Sequence, residues 1–206
     1  MKIEKLVQHW EPELPLLCCP KCGAEFTLES GQLRCQSGHC YDLSAKGYVN
    51  LAPNHDQKKE KYDAALFEAR SRIFADGFYR PVLDTVAGML TRRFGERSLT
   101  LADVGCGEGY YCAELARRFP SSAFFGVDLS RDGIQRAARN REACWMVADL
   151  KRLPFVPGGM DVVLDVLTPA DYQAFSSVLG ESGVLIKVIP GADYLKEVRN
   201  LFRDRL

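Results

Sequence analysis

Between residues 99 and 189, short apolar runs alternate with stretches of helical spacing, and that alternation leaves few architectures open. Leu99–Val104, Ala123–Val127, Cys144–Ala148, Met160–Leu164 and Val184–Ile189 are strand-sized. Gly109–Phe119, Arg131–Arg139, Ala170–Leu179 and Asp193–Arg205 are expected as helices. Strands that are apolar at almost every position need cover on both faces, so the expectation is a parallel sheet between two layers. Its crossovers should be right-handed, and a ligand should sit at the C-terminal ends of the strands. Two more helices are expected ahead of the first strand. Tyr62–Asp76 carries Ala65, Leu66, Ala69 and Ile73 on one side and stops at Gly77, and Pro81–Phe94 begins with proline in its first turn.

The first strand runs into Asp103-Val-Gly-Cys-Gly-Glu-Gly109. Gly105 and Gly107 let the backbone approach a ligand closely, and Gly109 lets the next helix pack tightly. The second strand ends in Asp128, placed for the two hydroxyls of a ribose, and the third in Asp149, placed for an adenine amine. Tyr110, Tyr111, Leu129 and Leu150 adjoin these positions and complete the expected cofactor-binding set. A dinucleotide fold carries G-x-G-x-x-G, where a helix N-terminus meets a pyrophosphate. Here the spacing is G-x-G-x-G, and Asp103 would repel a pyrophosphate but can anchor an ammonium. S-adenosylmethionine has an amino-acid tail, a ribose, an adenine and no phosphate, and it is the expected cofactor. The fold class is therefore α/β, a class I (Rossmann-like) S-adenosylmethionine-dependent methyltransferase domain.

Ahead of it lies a metal spacing, Cys19, Cys22, Cys35 and His39, C-x2-C-x12-C-x3-H. Zinc takes four such ligands in a tetrahedron, and four protein ligands make a closed, structural site. Gly23 and Gly38 let two knuckles bend around the ion. Glu25–Ser30 and Gln32–Arg34 are expected as two strands joined at Ser30-Gly31. Cys18 and Cys40 compete for places, and Cys35-x4-Cys40 would also close a tetrahedron. So small a module depends on its ion for stability. The expected division is a zinc module over 1–50, a linker over 51–61 and the α/β domain over 62–206.

With 206 residues the chain can hold one domain of about 150 residues plus such a module. No apolar run approaches the ~20 residues of a membrane span, and no apolar stretch follows the N-terminal charges, so neither anchor nor signal peptide is expected. Eight cysteines without an export signal suit metal ligation and buried thiols in the cytoplasm. Lysine plus arginine balances aspartate plus glutamate at 27 each, so a nucleic-acid partner would need a local basic stripe.

The zinc spacing, Gly47-Tyr-Val-Asn-Leu51, Glu68-Ala-Arg70 with Phe74, Gly77, Tyr79 and Pro81, Asp103–Tyr111, Leu153-Pro-Phe155 and Thr168-Pro169 fall in order along nearly the whole chain. Together they resemble the bacterial large-subunit ribosomal RNA guanine-N1 methyltransferases, a family that includes macrolide-resistance enzymes. The resemblance implies a homodimer whose zinc modules help to hold a ribosomal RNA hairpin. It also implies methyl transfer to N1 of one guanine. The chain departs from the family at Tyr62-Asp63, where members have Gly-Asp, and at Ser71, where many have a second arginine. Members also continue for dozens of residues past the last helix and complete the sheet with an antiparallel hairpin, which would otherwise leave the fifth strand with a bare edge.

For the chemistry, Asp165 near the end of the fourth strand is the expected base for the guanine N1 proton, with Asp171 next. The plain alternatives are a strand-end hydrogen-bond group and a first-turn helix carboxylate. Lys58, Lys59, Lys61, Arg70 and Arg72 are expected on the RNA side, although 56–61 reads equally well as a solvated linker. Tyr62, Tyr110 or Tyr172 could stack on an unpaired base. Two other functions fit the same residues: a small-molecule methyltransferase with a structural zinc module, and a catalytically silent RNA- or protein-binding relative.

Overall fold

The computed structural model describes residues 3–55 and 64–201. Six parallel strands form the central sheet in the order β4-β7-β6-β5-β8-β9: Tyr48–Asn50, Cys144–Val147, Ala123–Asp128, Thr100–Val104, Met160–Val166 and Leu179–Val188. A second, antiparallel sheet joins β1 (Phe26–Glu29), β2 (Gln32–Cys35) and β3 (Cys40–Asp42). Ser30 and Gly31, both at positive φ, make the turn between β1 and β2. The helices are α1 (Ile3–Trp10), α2 (Ala64–Ala75), α3 (Arg80–Phe94), α4 (Tyr110–Arg118), α5 (Arg131–Ala137), α6 (Tyr172–Val178) and α7 (Lys196–Leu201), with a 3-10 turn at Glu11–Leu16. Among the described residues no helix is long and apolar enough to cross a membrane.

Consecutive residues of each central strand point to opposite sides, and the two sides are covered differently. Leu101, Phe124, Trp145, Val147, Val162 and Leu164 meet α3, α4 and α5. Ala102, Phe125, Val127, Cys144, Met146 and Val163 face the other way. There the cover is α6 together with the N-terminal module, through Leu6, Trp10, Leu17, Phe26, Leu33 and Tyr41. The module therefore takes part of the place that a helical layer occupies in a doubly wound sheet. Backbone bonds fix it as well: Cys18 N–H donates to Pro154 O at 3.0 Å and Val156 N–H to Leu16 O at 3.0 Å.

The boundary expected at residue 50 runs along a strand of the large sheet. Tyr48–Asn50 pairs in parallel with Trp145–Val147, and Leu51 N–H donates to Val147 O at 2.8 Å. Parallel partners lie about a hundred residues apart here, so local pattern could not reveal the pairing. Helix α1 was also absent from the sequence reading, because only Leu6 and Trp10 of its eight residues are buried. The fifth strand begins earlier than expected, at Leu179, directly behind α6, and among the described residues β9 is an edge that pairs with β8. Of the helices expected at 62–76 and 193–205, residues 62, 63 and 202–205 lie outside the described residues.

Gly109 closes the turn at φ +78°, where α4 presses against β7. An added Cβ would sit 2.5 Å from the indole of Trp145 and 2.7 Å from Ala137 Cβ. Gly109→Ala combines backbone strain with overpacking and should cost about 2–4 kcal/mol in a urea unfolding titration. A loss below about 0.5 kcal/mol would show that the helix shifts freely on the sheet.

Candidate active site and metal centre

The metal centre forms where two knuckles face each other. Cys22 and Gly23 N–H both donate to Cys19 O, Gly38 N–H donates to Cys35 O, and Gly23 and Gly38 sit at φ +74° and +81°. The ligand atoms of Cys19, Cys22, Cys35 and His39 all lie within 4.8 Å of one another. Cys22 Sγ–Cys35 Sγ is 3.6 Å, Cys35 Sγ–His39 Nδ1 3.4 Å and Cys19 Sγ–His39 Nδ1 3.5 Å. A tetrahedron with zinc–sulfur bonds of about 2.3 Å has edges of about 3.8 Å, so the donor set fits zinc. The two competitors are engaged elsewhere. Cys18 Sγ donates to Phe155 O at 3.1 Å, and burial pushes its thiol up to about 11, away from the thiolate a metal needs. The exposed Cys40 turns to Gly38 O.

The glycine turn opens onto a cleft of about 270 Å³ at the C-terminal ends of β5, β6 and β8. Of the residues expected to bind cofactor, Gly105, Gly107, Tyr111 and Asp128 line it. Asp128 accepts from Gly107 N–H at 2.8 Å through one oxygen and from Ser130 N–H at 2.7 Å through the other. Burial raises its carboxyl above the ordinary range, while those N–H groups and the Arg70 guanidinium pull it back down. Leu129 and Asp149 line a neighbouring pocket of about 400 Å³, whose wall includes Pro20 and Lys21 of the first zinc knuckle. The two cavities flank one short loop, Asp128-Leu129-Ser130.

The other expected contacts do not line either cavity. Asp103 is buried under the turn and accepts from Cys112 N–H at 3.2 Å, so it braces α4 against β5. Gly109 is a packing glycine. Tyr110 stacks on Phe74 at 4.3 Å on the outer side of α4, and Leu150 packs against the module-facing core. Asp165 needs the clearest correction. It is fully buried, and its carboxylate receives Lys187 Nζ at 2.6 Å and Thr168 N–H at 3.3 Å. Lys187 lies directly opposite it across β8 and β9. A carboxylate held by a lysine and shut off from the cleft is no base for a substrate proton; it positions Thr168, whose side chain fills the space over Gly105. Asp171 caps α6 by accepting from Ala174 N–H.

Sequence reasoning missed much of the cleft wall. Phe67, Arg70, Phe74, Tyr79, Thr168 and Tyr194 line it. Tyr79 and Tyr194 share a hydrogen bond of 2.6 Å between hydroxyls, and burial with that bond pushes Tyr194 up to about 12. The available signal was Arg70, Phe74, Tyr79 and Thr168 within the family-like segments, with nothing to say that they turn toward one cleft. Arg70, expected on the RNA side, points into this cleft, 3.6 Å from where a Cβ on Gly107 would lie. Arg72 is exposed on α2 and Tyr172 on α6. Lys58, Lys59, Lys61 and Tyr62 lie outside the described residues. Ser71 donates to Glu108 at 2.5 Å and so ties α2 to the glycine turn. The other Glu108 oxygen and the hydroxyl of Tyr111 are buried without a hydrogen-bond partner among the described residues. The Tyr111 hydroxyl lines the cleft beside the Asp128 carboxylate and the Arg70 guanidinium, a set of groups that suits a zwitterionic, hydroxyl-bearing ligand.

Comparisons with known proteins agree with this geometry. Residues 101–181 match a family model described as a methyltransferase domain, and residues 17–61 match the zinc-ribbon model described as "RlmA, N-terminal". A protein of Bacillus subtilis (strain 168), provisionally named 23S rRNA (guanine-N(1)-)-methyltransferase, is 40% identical over 90% of this chain and 68% of its own length. The 23S rRNA (guanine(748)-N(1))-methyltransferase of Streptomyces fradiae is 30% identical over 88% of this chain and 66% of its own. The chain thus spans about two thirds of the length of these curated relatives. An S-adenosyl-L-methionine-dependent methyltransferase structure from Methanococcus maripaludis, provisionally so described, superposes with a TM-score of 0.55 at 18% identity. It covers 73% of this chain and 74% of that one, and it shows the fold.

Two outcomes are expected. Cys22→Ser should lose its zinc by metal analysis and, because the module seals one face of the sheet, lower the melting midpoint of the whole chain by roughly 10 °C. One zinc per chain in that variant would overturn the ligand set. The second concerns Asp103, whose carboxyl burial raises to about 7, with Asp128 and Asp165 adding to the shift and the Cys112 N–H opposing it. An unfolded aspartate titrates near ~3.9. Between those values the native state holds a proton that the unfolded state has lost, so this group's contribution to stability is present at low pH and lost as pH rises toward 7. Urea titrations from about pH 4 to pH 8 should therefore show a fall in stability that Asp103→Asn flattens.

Proposed function

This chain belongs to the family of 23S rRNA guanine-N1 methyltransferases, and we propose that it transfers a methyl group from S-adenosylmethionine to N1 of a guanine in large-subunit ribosomal RNA. The observation that carries the reading is the pairing of the glycine-turn cleft with a zinc knuckle that reaches the same strand ends. We assign the finer parts of the reading to the cytoplasm, with a homodimer that engages an RNA hairpin. Cys19, Cys22, Cys35 and His39 hold one structural zinc ion, which organises the knuckles and takes no part in the chemistry.

When bound, S-adenosylmethionine supplies a methyl group on a sulfonium, already activated for in-line displacement. The residues of the chain bind, orient and enclose. Asp128, held from two sides by backbone N–H groups, offers its remaining lone pairs to vicinal hydroxyls, and Asp149 with Leu129 accepts the adenine end in the adjoining pocket. Gly105 and Gly107 bring the backbone to the cleft, and Arg70 supplies the positive charge beside it. Phe67, Phe74, Tyr79 and Tyr111 form an apolar and aromatic wall that limits water, so the reacting atoms keep one alignment. Among the described residues Asp128 is the one carboxylate lining this cleft. The rate gain therefore rests on alignment more than on a carboxylate base. The N1 proton passes to solvent water at the open side of the cleft as the N–CH3 bond forms and the sulfonium C–S bond breaks. The unpaired or flipped guanine presents N1 to the open side of the cleft.

The test is methyl transfer from labelled S-adenosylmethionine to unmodified large-subunit ribosomal RNA, with primer extension to map the product. One stop at a single guanine is expected; incorporation into small molecules with none into RNA would overturn the reading. Asp128→Asn should weaken S-adenosylmethionine about 10- to 100-fold by calorimetry, the worth of a hydrogen bond to a charged group. An unchanged affinity would remove Asp128 from the site.

A further inference from the structure

We propose that the corner where α5 meets the start of β4 is a docking surface for the phosphate backbone of the RNA, gripped by Lys46, Arg136, Arg139 and Arg141. The proposal rests on the reading of the chain as a ribosomal RNA methyltransferase. It extends that reading to a face that no cofactor or zinc residue occupies.

The charge is local, and the acids around it, Asp132 on α5 and Glu108 and Glu114 in the neighbouring groove that Arg136 and Arg139 share, stand outside its cavity. The whole chain carries 27 basic and 27 acidic residues, yet the eleven-residue stretch from Arg131 to Arg141 holds four arginines against Asp132. Lys46, Arg136, Arg139 and Arg141 line one shallow cavity of about 300 Å³ with Gln135 and Ala138, and no carboxylate lines it. None of these four cations forms an ion pair among the described residues. Glu142, the nearest acid in sequence, is taken up by Arg117 and by the backbone N–H of Arg141. Like charges gathered without acids repel one another, which a bound polyanion relieves.

The surface is also built. Lys46 Nζ donates to Gln135 Oε1 at 2.7 Å, and Arg141 Nη1 donates to Lys46 O at 3.0 Å. Tyr48 accepts through its hydroxyl from Arg131 Nε at 3.2 Å and from Gln135 Nε2 at 3.3 Å. Gly47 stands at φ +97°, and the Arg141 guanidinium lies over it where any side chain would collide. The Gly47-Tyr48 pair of the family-like segment thereby gains a role that neither zinc nor cofactor gave it: it sets the guanidinium groups of this corner. The surface also leads to the site. Arg136 stacks 5.4 Å over the ring of Phe67, which lines the cofactor cleft. Planar guanidinium forks match phosphate oxygens, and four cations along one groove exceed what a single small anion can engage.

The test compares the wild-type protein with a Lys46→Gln/Arg139→Gln double variant. Both residues are exposed and outside the two cofactor cavities. Binding to protein-free 23S rRNA is measured across a potassium chloride series, with S-adenosylmethionine affinity and melting midpoint as controls. Each phosphate contact contributes about 0.7–0.9 to the slope of log K against log salt, so the variant should lose about 1.4–1.8 of it. Its RNA affinity should fall about tenfold or more at moderate salt, with cofactor binding unchanged. A variant that keeps the slope and affinity of a wild-type protein that does bind RNA would overturn the surface and leave the proposed activity standing. A wild-type protein that neither binds nor methylates the RNA would overturn both. An unchanged RNA slope with loss of binding to polyglutamate would overturn the RNA assignment in favour of an acidic protein partner.

Discussion

Four ligand atoms drawn within 4.8 Å of one another hold together a three-stranded sheet that could not fold by burial alone, and the large sheet depends on that small one. Phe125, Val127, Cys144 and Met146 lie under Leu17, Phe26, Leu33 and Trp10, with α6 covering only part of the same face. Without the ion the knuckles lose their closure, and apolar side chains of β6 and β7 lose their cover. The centre has no open coordination position, so its reach into function is mechanical. Pro20 and Lys21 stand on the knuckle between two ligands and also wall the pocket beside Asp149. Metal binding, sheet stability and the shape of that pocket are therefore one coupled property.

The buried carboxylates at adjacent strand ends show how similar residues divide their work. Asp103 sits beneath the turn and accepts an N–H from α4. Asp165 is neutralised by Lys187 and sets Thr168 over Gly105. Asp128 alone reaches the cleft, with its oxygens steadied by Gly107 and Ser130. A bare carboxylate in such a setting would neutralise itself by taking up a proton. Asp103 goes that way, its carboxyl raised to about 7 by burial, whereas backbone N–H groups and the Arg70 guanidinium draw Asp128 back down. Asp128 keeps lone pairs facing the cleft and Asp103 does not, and that difference separates a binding group from a bracing one.

What the sequence showed was what local chemistry encodes. The apolar runs of β5 through β8, the knuckle spacing and the positive-φ glycines each need specific residues close together, so they were legible. What local pattern left hidden shares a different cause. Asp165 looked available because Lys187 is 22 residues away and meets it only through the parallel register of β8 and β9. Tyr48–Asn50 also pairs into the large sheet, which local pattern could not show because its partner, β7, is nearly a hundred residues further on. Arg70 looked like an RNA contact because helical spacing cannot say which side of α2 faces the glycine turn, on a helix whose apolar residues do not cluster strongly. Tyr194 was invisible, since its place beside Tyr79 arises from the return of the chain after β9.

An electrically neutral chain that acts on a polyanion has to sort its charges, and the sorting can be traced residue by residue. Asp103 and Asp165 are removed from the surface altogether. Asp161 is engaged by Arg97, Asp84 by Arg118, and Glu114 and Glu142 by Arg117. Those pairs are partly exposed and add little to stability. Their effect is on the field, because each one cancels an acid outside the corner, while Lys46, Arg136, Arg139 and Arg141 form no ion pair among the described residues. The net charge of zero is therefore a sum that hides a local excess at one corner of the sheet. Attraction from that corner acts over about one Debye length, roughly 8–10 Å at ordinary salt. Through Arg136 and Phe67 the corner adjoins the cleft lip, so a strand held there would lie beside the site where methyl transfer is proposed.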